Sequence, residues 1–378
     1  MAGTSHNPLR PSRPLRQSTV YLLFLLVLAV LVFAITQVSS SPVTGSTAVA
    51  VFNSFIGIML QGIAFLIVGV LLSSAVRIFI PVSFFERVFG AHADNSRRSV
   101  RYVLRLVSGM CAAVLCGLLL PVCDCAVIPL FASLVRKRVP LPAAVTFLLC
   151  APVANPIVVW STYYSFNGSW AAVLQRSGYG ILVSVVVGML FALFPVKYDI
   201  FKKPDSHDSV NSAEADNIQD PSTGHHHKKV PEKATCAQML TIYLEDARDE
   251  FFSVGGYLLI GALIASALGA SALTAVLKSW PHGSGTLPAG LVLLAVMMLA
   301  GFVMSVCSSS DAVIGWSFST YIPFDSVLGF LVFGPMMDIK NVLMLQSRFN
   351  RRFIMRLVLS VAGTCFAAMA VRLVVVMI

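Results

Sequence analysis

The alternation of apolar and polar stretches is the first feature of the chain. Apolar runs long enough to cross a bilayer cover residues 21–38, 48–76, 141–163, 170–194, 251–277, 327–346 and 353–377. Because about 20 apolar residues in a helix span the hydrocarbon core, such runs are typical of membrane helices. Two further runs, 106–135 and 291–306, meet short polar interruptions. The pattern predicts an all-α, polytopic integral membrane helical bundle.

The two polar interruptions carry the residues with the most chemistry. The first break, residues 121–129, holds Cys123, Asp124 and Cys125 together with two prolines; the second, residues 305–314, holds Cys307 and Asp311. Non-helical backbone and ionisable side chains at membrane depth are tolerated only where they are buried in protein or line a water-filled cavity. Both breaks are therefore predicted to be parts of a functional site.

Composition and charge limit the classes of function. The chain is 57% hydrophobic and 12% charged, and its mean hydropathy is +0.82, which is far too apolar for a soluble domain. The net charge of +10 comes from Lys and Arg that lie between apolar segments. These residues indicate the orientation of the segments in the membrane and not a surface that binds nucleic acid. The expected partners are the lipid bilayer and a small solute or ion. We expect no disulfide framework among the eight cysteines and no cofactor.

Basic clusters predict the orientation of the segments. Arginines and lysines gather at 97–105, 136–138 and 348–352, and such clusters stay cytoplasmic. A multi-pass protein of the cell inner membrane follows, with its N-terminus inside, the first break entered from the cytoplasm and the second from outside. Residues 21–38 could form a signal peptide, but their length favours an uncleaved span. Gln175 and Arg176 are expected near the outer interface.

The chain is predicted to have four segments. Residues 1–47 form the cytoplasmic N-terminus and first span, 48–196 a first transmembrane repeat, 197–250 a polar cytoplasmic linker and 251–378 a second repeat. The linker contains three adjacent histidines, His225–His227, which could bind a transition metal. Three neighbouring side chains cannot all face one ion in regular structure, so a flexible linker is the preferred interpretation and the role of these histidines stays open.

Matching spacings connect the two halves. Cys123 precedes Pro152 by 29 residues and Cys307 precedes Pro335 by 28, and Ala-Val-Ile follows both breaks, at 126–128 and 312–314. Asn155 and Asp338 stand at the same distance beyond these prolines. With the opposite charge bias, the register predicts two inverted repeats, each containing a broken-helix hairpin, whose breaks meet to form a substrate site.

As a set, these motifs resemble those of bacterial predicted permeases, a family that also contains organoarsenical efflux permeases. The resemblance covers residues 50–378 and is carried by PVCxCxVIP at 121–129, FLxxxPxxNP at 147–156, CSxxDA at 307–312 and GPMMDIKN at 334–341. It implies membrane transport. Asp124 and Ala126 depart from the expected small polar residue and glycine, so no relative's substrate carries over directly.

The thiols of Cys123, Cys125 and Cys307 allow two interpretations. Soft thiolates select soft metals and metalloids, and the three would supply sulfur ligands if the breaks meet. Alternatively, cysteines in membrane helices are small hydrophobic residues, which is the interpretation preferred for Cys111, Cys116, Cys150 and Cys365. Convergence of the three thiols, and whether any metal binds, stay open.

The acidic residues at the breaks also allow two roles. A carboxyl group in a low-dielectric setting favours its neutral form, so Asp124, Asp311 and Asp338 could load and release a proton. Asp338 and Lys340 could instead form a structural pair. On the first interpretation we predict that Asp311→Asn uncouples transport from the proton gradient. The full set of candidate substrate-binding residues is Cys123, Asp124, Cys125, Pro152, Asn155, Cys307, Asp311, Pro335, Asp338 and Lys340.

Three classes of function compete. A permease that moves a small solute, such as a thiophilic metal, metalloid or organoarsenical, with proton coupling, accounts for the repeat, the breaks and the acids together. An intramembrane thiol oxidoreductase would account for Cys-x-Cys alone, and a non-transporting assembly or sensory protein is a third alternative. We expect a permease and no enzyme; the solute, the direction of transport and the oligomeric state stay open.

Overall fold

The computed structural model describes part of the chain, residues 47–79, 100–137, 139–196, 200–201, 236–269 and 287–377. By its contacts the chain divides into two units, Met1–Ala50 and Val51–Ile378, and the site described below lies in the second. The predicted span 21–38, most of the linker with His225–His227 and the predicted external loops at 41–46 and 280–285 lie outside the described residues. The division into four segments therefore stays a prediction.

Regular structure in the described residues is helical, apart from one isolated bridge between Phe201 and Phe349. There are twelve α-helices in this part of the chain. They are α1 Thr47–Phe79, α2 Val100–Leu119, α3 Asp124–Arg136, α4 Leu141–Ala154, α5 Pro156–Ser165, α6 Trp170–Leu193, α7 Cys236–Gly269, α8 Leu287–Met304, α9 Asp311–Ser319, α10 Phe324–Met336, α11 Ile339–Gln346 and α12 Arg351–Met377.

The helices form two groups of six with the same order of lengths. Helices α1–α6 have 33, 20, 13, 14, 10 and 24 residues, and α7–α12 have 34, 18, 9, 13, 8 and 27. The packing inside each group is also alike: α4 contacts α2, α3 and α6, and α10 contacts α8, α9 and α12. Each group thus has one central helix with corresponding neighbours.

Six stretches among the described residues are long and apolar enough to cross a membrane, three in each group. Leu141–Ser165 runs through α4 and α5, and Phe324–Gln346 through α10 and α11; these two are 78% and 83% buried, against 22–41% for the other four. The two most buried stretches therefore form the centre of the bundle. The all-α, multi-pass class predicted from the sequence is confirmed.

The first break is shorter than the sequence predicted. Helix α2 ends at Leu119 and α3 begins at Asp124, so Pro129 lies inside α3 and does not end it. Pro152 and Pro335 likewise lie inside α4 and α10. A proline in a helix removes one hydrogen bond, to the carbonyl four residues earlier, and here the buried packing of all three helices tolerates that loss.

Candidate functional site

Two short helices at the centre of the bundle begin in the same way. The carboxamide oxygen of Asn155 accepts a hydrogen bond from the backbone N–H of Val158 at 2.9 Å, which caps α5. Asp338 caps α11 by accepting from the N–H of Asn341 at 2.5 Å. Asn and Asp are favoured at this position because their oxygens satisfy free N–H groups of the first turn. The two residues that the sequence paired across the halves thus have one structural role.

Asp124 and Lys340 connect the first break to the second group of helices. The Nζ of Lys340 lies 2.9 Å from Oδ2 of Asp124, and both side chains are almost fully buried. The other carboxylate oxygen of Asp124 accepts from Ser308 Oγ at 3.3 Å and lies 4.0 Å from the sulfur of Cys307. Residues of the two breaks are therefore in direct contact.

Lys340 also approaches Asp338, but less closely. Its Nζ lies 3.4 Å from Oδ2 of Asp338, so the cation is shared and its shorter contact is with Asp124. Oδ2 of Asp338 and Oδ1 of Asn341 are buried without a hydrogen-bond partner. The hypothesis that Asp338 and Lys340 satisfy each other accounts for only part of this geometry.

Arg176 and Asp311 form a second buried ion pair. The Nη2 of Arg176 donates to both carboxylate oxygens at 2.8 and 2.7 Å and to the carbonyl of Ser308 at 3.1 Å, while Nη1 donates to Thr162 Oγ1 at 2.9 Å. Arg176 is 0% exposed, and the carboxylate, the carbonyl and the hydroxyl are its partners inside the bundle. Its expected position near the outer interface stays a prediction.

Arg176 was absent from the residues singled out as a site, although a signal for it existed. An arginine inside an apolar stretch is costly in a membrane unless it has a partner. The sequence contains a similarly isolated acid, Asp311, in the second break. Pairing the two on charge alone would have predicted this contact.

Three cysteines of the two breaks line one small cavity. Cys123, Cys125 and Cys307 share it with Lys340 and with residues of α1 that include Gln61, and its volume is about 10 Å³, close to the space that one water needs. The thiol of Cys123 interacts with those of Cys125 and Cys307. Within the described residues, no group of three or more His, Cys, Asp or Glu is arranged to hold a metal ion.

The remaining cysteines lie apart from this cavity. Cys150 and Cys365 are buried, Cys116 is half-buried and Cys111 is exposed on the surface of the bundle. The side chain of Cys236 lies outside the described residues. The structure thus separates the three cysteines of the breaks from the four for which the sequence favoured a packing role.

The other predicted site residues support the breaks. The amide of Asn155 donates to the carbonyl of Val122, in the first break, at 2.8 Å and to Ala151 at 3.0 Å. Pro152 and Pro335 are buried inside α4 and α10, about one helical turn before Asn155 and Asp338. Ser305, in the second break, is buried at a φ of +47°, a conformation that non-glycine residues rarely adopt and that occurs at functional sites. Its Oγ accepts from the N–H of Lys340 at 3.4 Å.

Comparison with known proteins identifies the family of the chain. The model of a family described as predicted permeases matches residues 47–373. The chain is 36% identical to the UPF0718 protein YcgR of Bacillus subtilis over 304 residues, which are 80% of this chain and 90% of the relative. No solved structure matches the chain significantly.

Two further relatives are more distant. A Streptococcus mutans protein described as a candidate subunit of a two-component membrane permease complex is 29% identical over 80% of this chain and 88% of its own length. The UPF0718 protein MJ0584 of Methanocaldococcus jannaschii is 26% identical over 41% of this chain and 37% of its own length. The matched region contains both breaks and nearly all the described helices, and the chain belongs to the predicted-permease family.

Proposed function

We propose that this permease moves a small thiophilic solute, a soft metal or metalloid ion or a trivalent organoarsenical, across the cell inner membrane in exchange with protons. The observation that carries the proposal is that Cys123, Cys125 and Cys307 line one small cavity. Thiolate sulfur binds soft metals and metalloids in preference to hard cations. A cavity lined by three thiols from both breaks suits a solute of that class.

Lys340 adds to the chemistry of the cavity. Its ammonium group lines the same cavity and interacts electrostatically with Cys125 and Cys307, so a solute held by these thiols would lie beside a positive charge. The cavity has room for little more than one water molecule, so entry of a solute requires the helices around it to separate. We interpret the structure as an occluded conformation between the two open ones.

Two inverted repeats would provide that movement. Besides the order of helix lengths, two close contacts correspond: Gly117 packs against Ala151, and Gly301 packs against Gly334. Both Gly117 and Gly301 lie six residues before the first cysteine of their break, and both of their partners directly precede the proline of the central helix. Across the groups, α3 contacts α11 and α5 contacts α9. Related broken helices that meet at the centre are the arrangement with which secondary transporters alternate access.

Flux through the purified protein in liposomes tests the proposal, with phenylarsine oxide and Cd²⁺ as probes. We expect Cys123→Ser and Cys307→Ser to lose most of the flux of both probes. Cys150→Ser and Cys365→Ser are the matched controls, because these cysteines are buried but lie outside the cavity, and they should retain it. Equal flux in all four variants would reject the sulfur ligands, and the absence of flux of both probes in the wild type would reject the function.

The alternative of an intramembrane thiol oxidoreductase has no support from the comparisons, in which the family is described as predicted permeases and the S. mutans relative as a candidate permease subunit. In the same liposomes it would be recognised as thiol–disulfide exchange without flux. Because the S. mutans relative is described as a subunit of a complex, we also propose that a second membrane subunit accompanies this protein. Its co-purification after crosslinking in native membranes is the test.

A further inference from the structure

The buried charges of the described residues are unequal in number. The buried acids are Asp124, Glu250, Asp311 and Asp338, each no more than 3% exposed. The buried bases are Arg176 and Lys340, together with Arg348, whose side chain is 8% exposed. Burial of a carboxylate without a compensating cation is very costly, and such a group takes up a proton instead. One of the four acids is therefore expected to be neutral.

Three of the four acids have a cation at short distance: Asp311 and Asp124, described here, and Glu250, described below. Asp311 binds Arg176 through both oxygens at 2.8 and 2.7 Å. Asp124 lies 2.9 Å from Lys340 and also accepts from Ser308. The fourth acid, Asp338, has only the shared ammonium of Lys340, at 3.4 Å.

Glu250 is the remaining acid with its own cation. It lies 3.0 Å from Nη2 of Arg348 and accepts from Ser73 Oγ at 3.1 Å. Its cluster involves α1, α7 and the residues after α11, and none of its members lines the thiol cavity. The missing positive charge is therefore at Asp338.

The hydrogen bonds around Asp338 lead to the same residue. Its Oδ1 accepts from the N–H of Asn341. Within the described residues, its Oδ2 has only the ammonium of Lys340, at 3.4 Å, and neither this oxygen nor the Oδ1 of Asn341 accepts a hydrogen bond of good geometry. A proton on Oδ2 of Asp338 removes one poorly matched acceptor. We propose that Asp338 holds the dissociable proton of this permease and that Asp311, paired with Arg176, is a structural residue.

The surrounding groups favour a proton over a metal cation. The charged groups that interact with Asp338 are Lys340, on its own helix, and Asp124, from α3; Cys125 and Cys307 interact in turn with Lys340. Hard metal cations such as Ca²⁺ take about six or more oxygen ligands, whereas among the described residues around Asp338 only two acceptors lack a well-formed hydrogen bond. An ammonium group 3.4 Å from Oδ2 would also repel a second cation.

Loss of this proton would reach the thiol cavity through Lys340. With Asp338 neutral, Lys340 forms its ion pair with Asp124 alone, at 2.9 Å. With Asp338 charged, two carboxylates compete for one ammonium, and the contact of Asp124 with Lys340, which lines the cavity, weakens. The assignment of the proton stands on geometry and charge alone, whereas its coupling to solute movement rests on the proposed function.

Infrared spectroscopy of the purified protein tests the assignment without any solute. At neutral pH we expect a carbonyl-stretch band of a protonated carboxyl group that disappears in Asp338→Asn and as the pH is raised. The same band should persist in Asp249→Asn, the matched control, because Asp249 is exposed. Asp338→Asn should fold, since Asn155 caps the corresponding helix with an amide. No band in the wild type, or an unchanged band in Asp338→Asn, would overturn the assignment.

Flux in liposomes tests the coupling. Flux of phenylarsine oxide through the wild type should increase several-fold with an imposed pH gradient, and flux through Asp338→Asn should not respond to the gradient. Replacement of sodium by choline should change neither. A wild-type response in Asp338→Asn, or a requirement for sodium, would overturn the coupling role; absence of all flux in the wild type, with the infrared band intact, would reject the proposed function and leave the protonated Asp338.

Discussion

The guanidinium group of Arg176 binds both carboxylate oxygens of Asp311, 135 residues away in the chain, at 2.8 and 2.7 Å. Arg176 belongs to α6 and Asp311 begins α9, so the pair links the first group of helices to the second break. The same guanidinium donates to the carbonyl of Ser308, a backbone group of that break. Arg176 thus fixes the conformation of the second break from outside it.

We predict that Arg176→Met strongly destabilises the protein. The substitution leaves Asp311 buried without a cation, and breaking a buried pair in this way costs about 3–5 kcal/mol of the free energy of unfolding. A fall in the thermal unfolding midpoint in detergent measures the effect. Arg248→Met is the control, because the Arg248–Asp249 pair is exposed and its loss should leave the midpoint unchanged. Equal midpoints for both variants would contradict a stabilising role of the Arg176–Asp311 pair.

A second prediction concerns the approach of α8 to α10. A Cβ added at Gly301 would lie 3.1 Å from the Cα of Gly334 and 3.1 Å from the carbonyl of Phe330, so Gly301→Ala forces two backbones apart. Overpacking of this kind costs about 1–3 kcal/mol. At Gly363 in α12 there is nothing within 4 Å of such a Cβ, and Gly363→Ala should stabilise slightly, because alanine is the better helix former. The thermal unfolding midpoints of both variants measure these effects. An unchanged midpoint for Gly301→Ala would contradict the close packing of α8 against α10.

A third prediction follows from the different environments of the cysteines. Phenylarsine oxide should protect Cys307 from alkylation by N-ethylmaleimide, because a solute held by the three thiols covers that sulfur. Cys111 is exposed and lies outside the cavity, so its alkylation should not change. Peptide mass spectrometry measures both in one sample. Protection of neither cysteine, or of both equally, would count against binding in the cavity.

The fourth prediction is the membrane orientation. We expect the N-terminus and residues 197–250 in the cytoplasm, and residues 41–46 and 280–285 outside, because the clusters of Arg and Lys remain inside. A cysteine introduced at Ser206 should react with a membrane-impermeant maleimide only after the cells are opened. A cysteine introduced at Ser284 should react in intact cells. Labelling of the Ser206 position from outside would contradict the inverted arrangement.

Much of the fold was accessible from the sequence because its signals are local. The length of each apolar run and the positions of Gly, Pro and charged residues predict membrane helices and their interruptions. The spacing from Cys123 to Pro152 and from Cys307 to Pro335 identified the residues that line or support the central site. Even so, the local sequence predicts a break that extends to Pro129, whereas α3 already begins at Asp124. The neighbouring helices that stabilise a proline inside a helix are not visible in the local sequence.

The sequence by itself determined that the protein is an all-α membrane permease with thiols and acids at its breaks. Only the tertiary structure decided which charges compensate each other: Arg176 with Asp311, and Lys340 shared between Asp124 and Asp338. Helix formation and membrane insertion depend on residues that are close in the chain, whereas pairing of buried charges depends on where distant helices meet. For that reason the acid left without its own cation, Asp338, was recognised only after the helices were packed together.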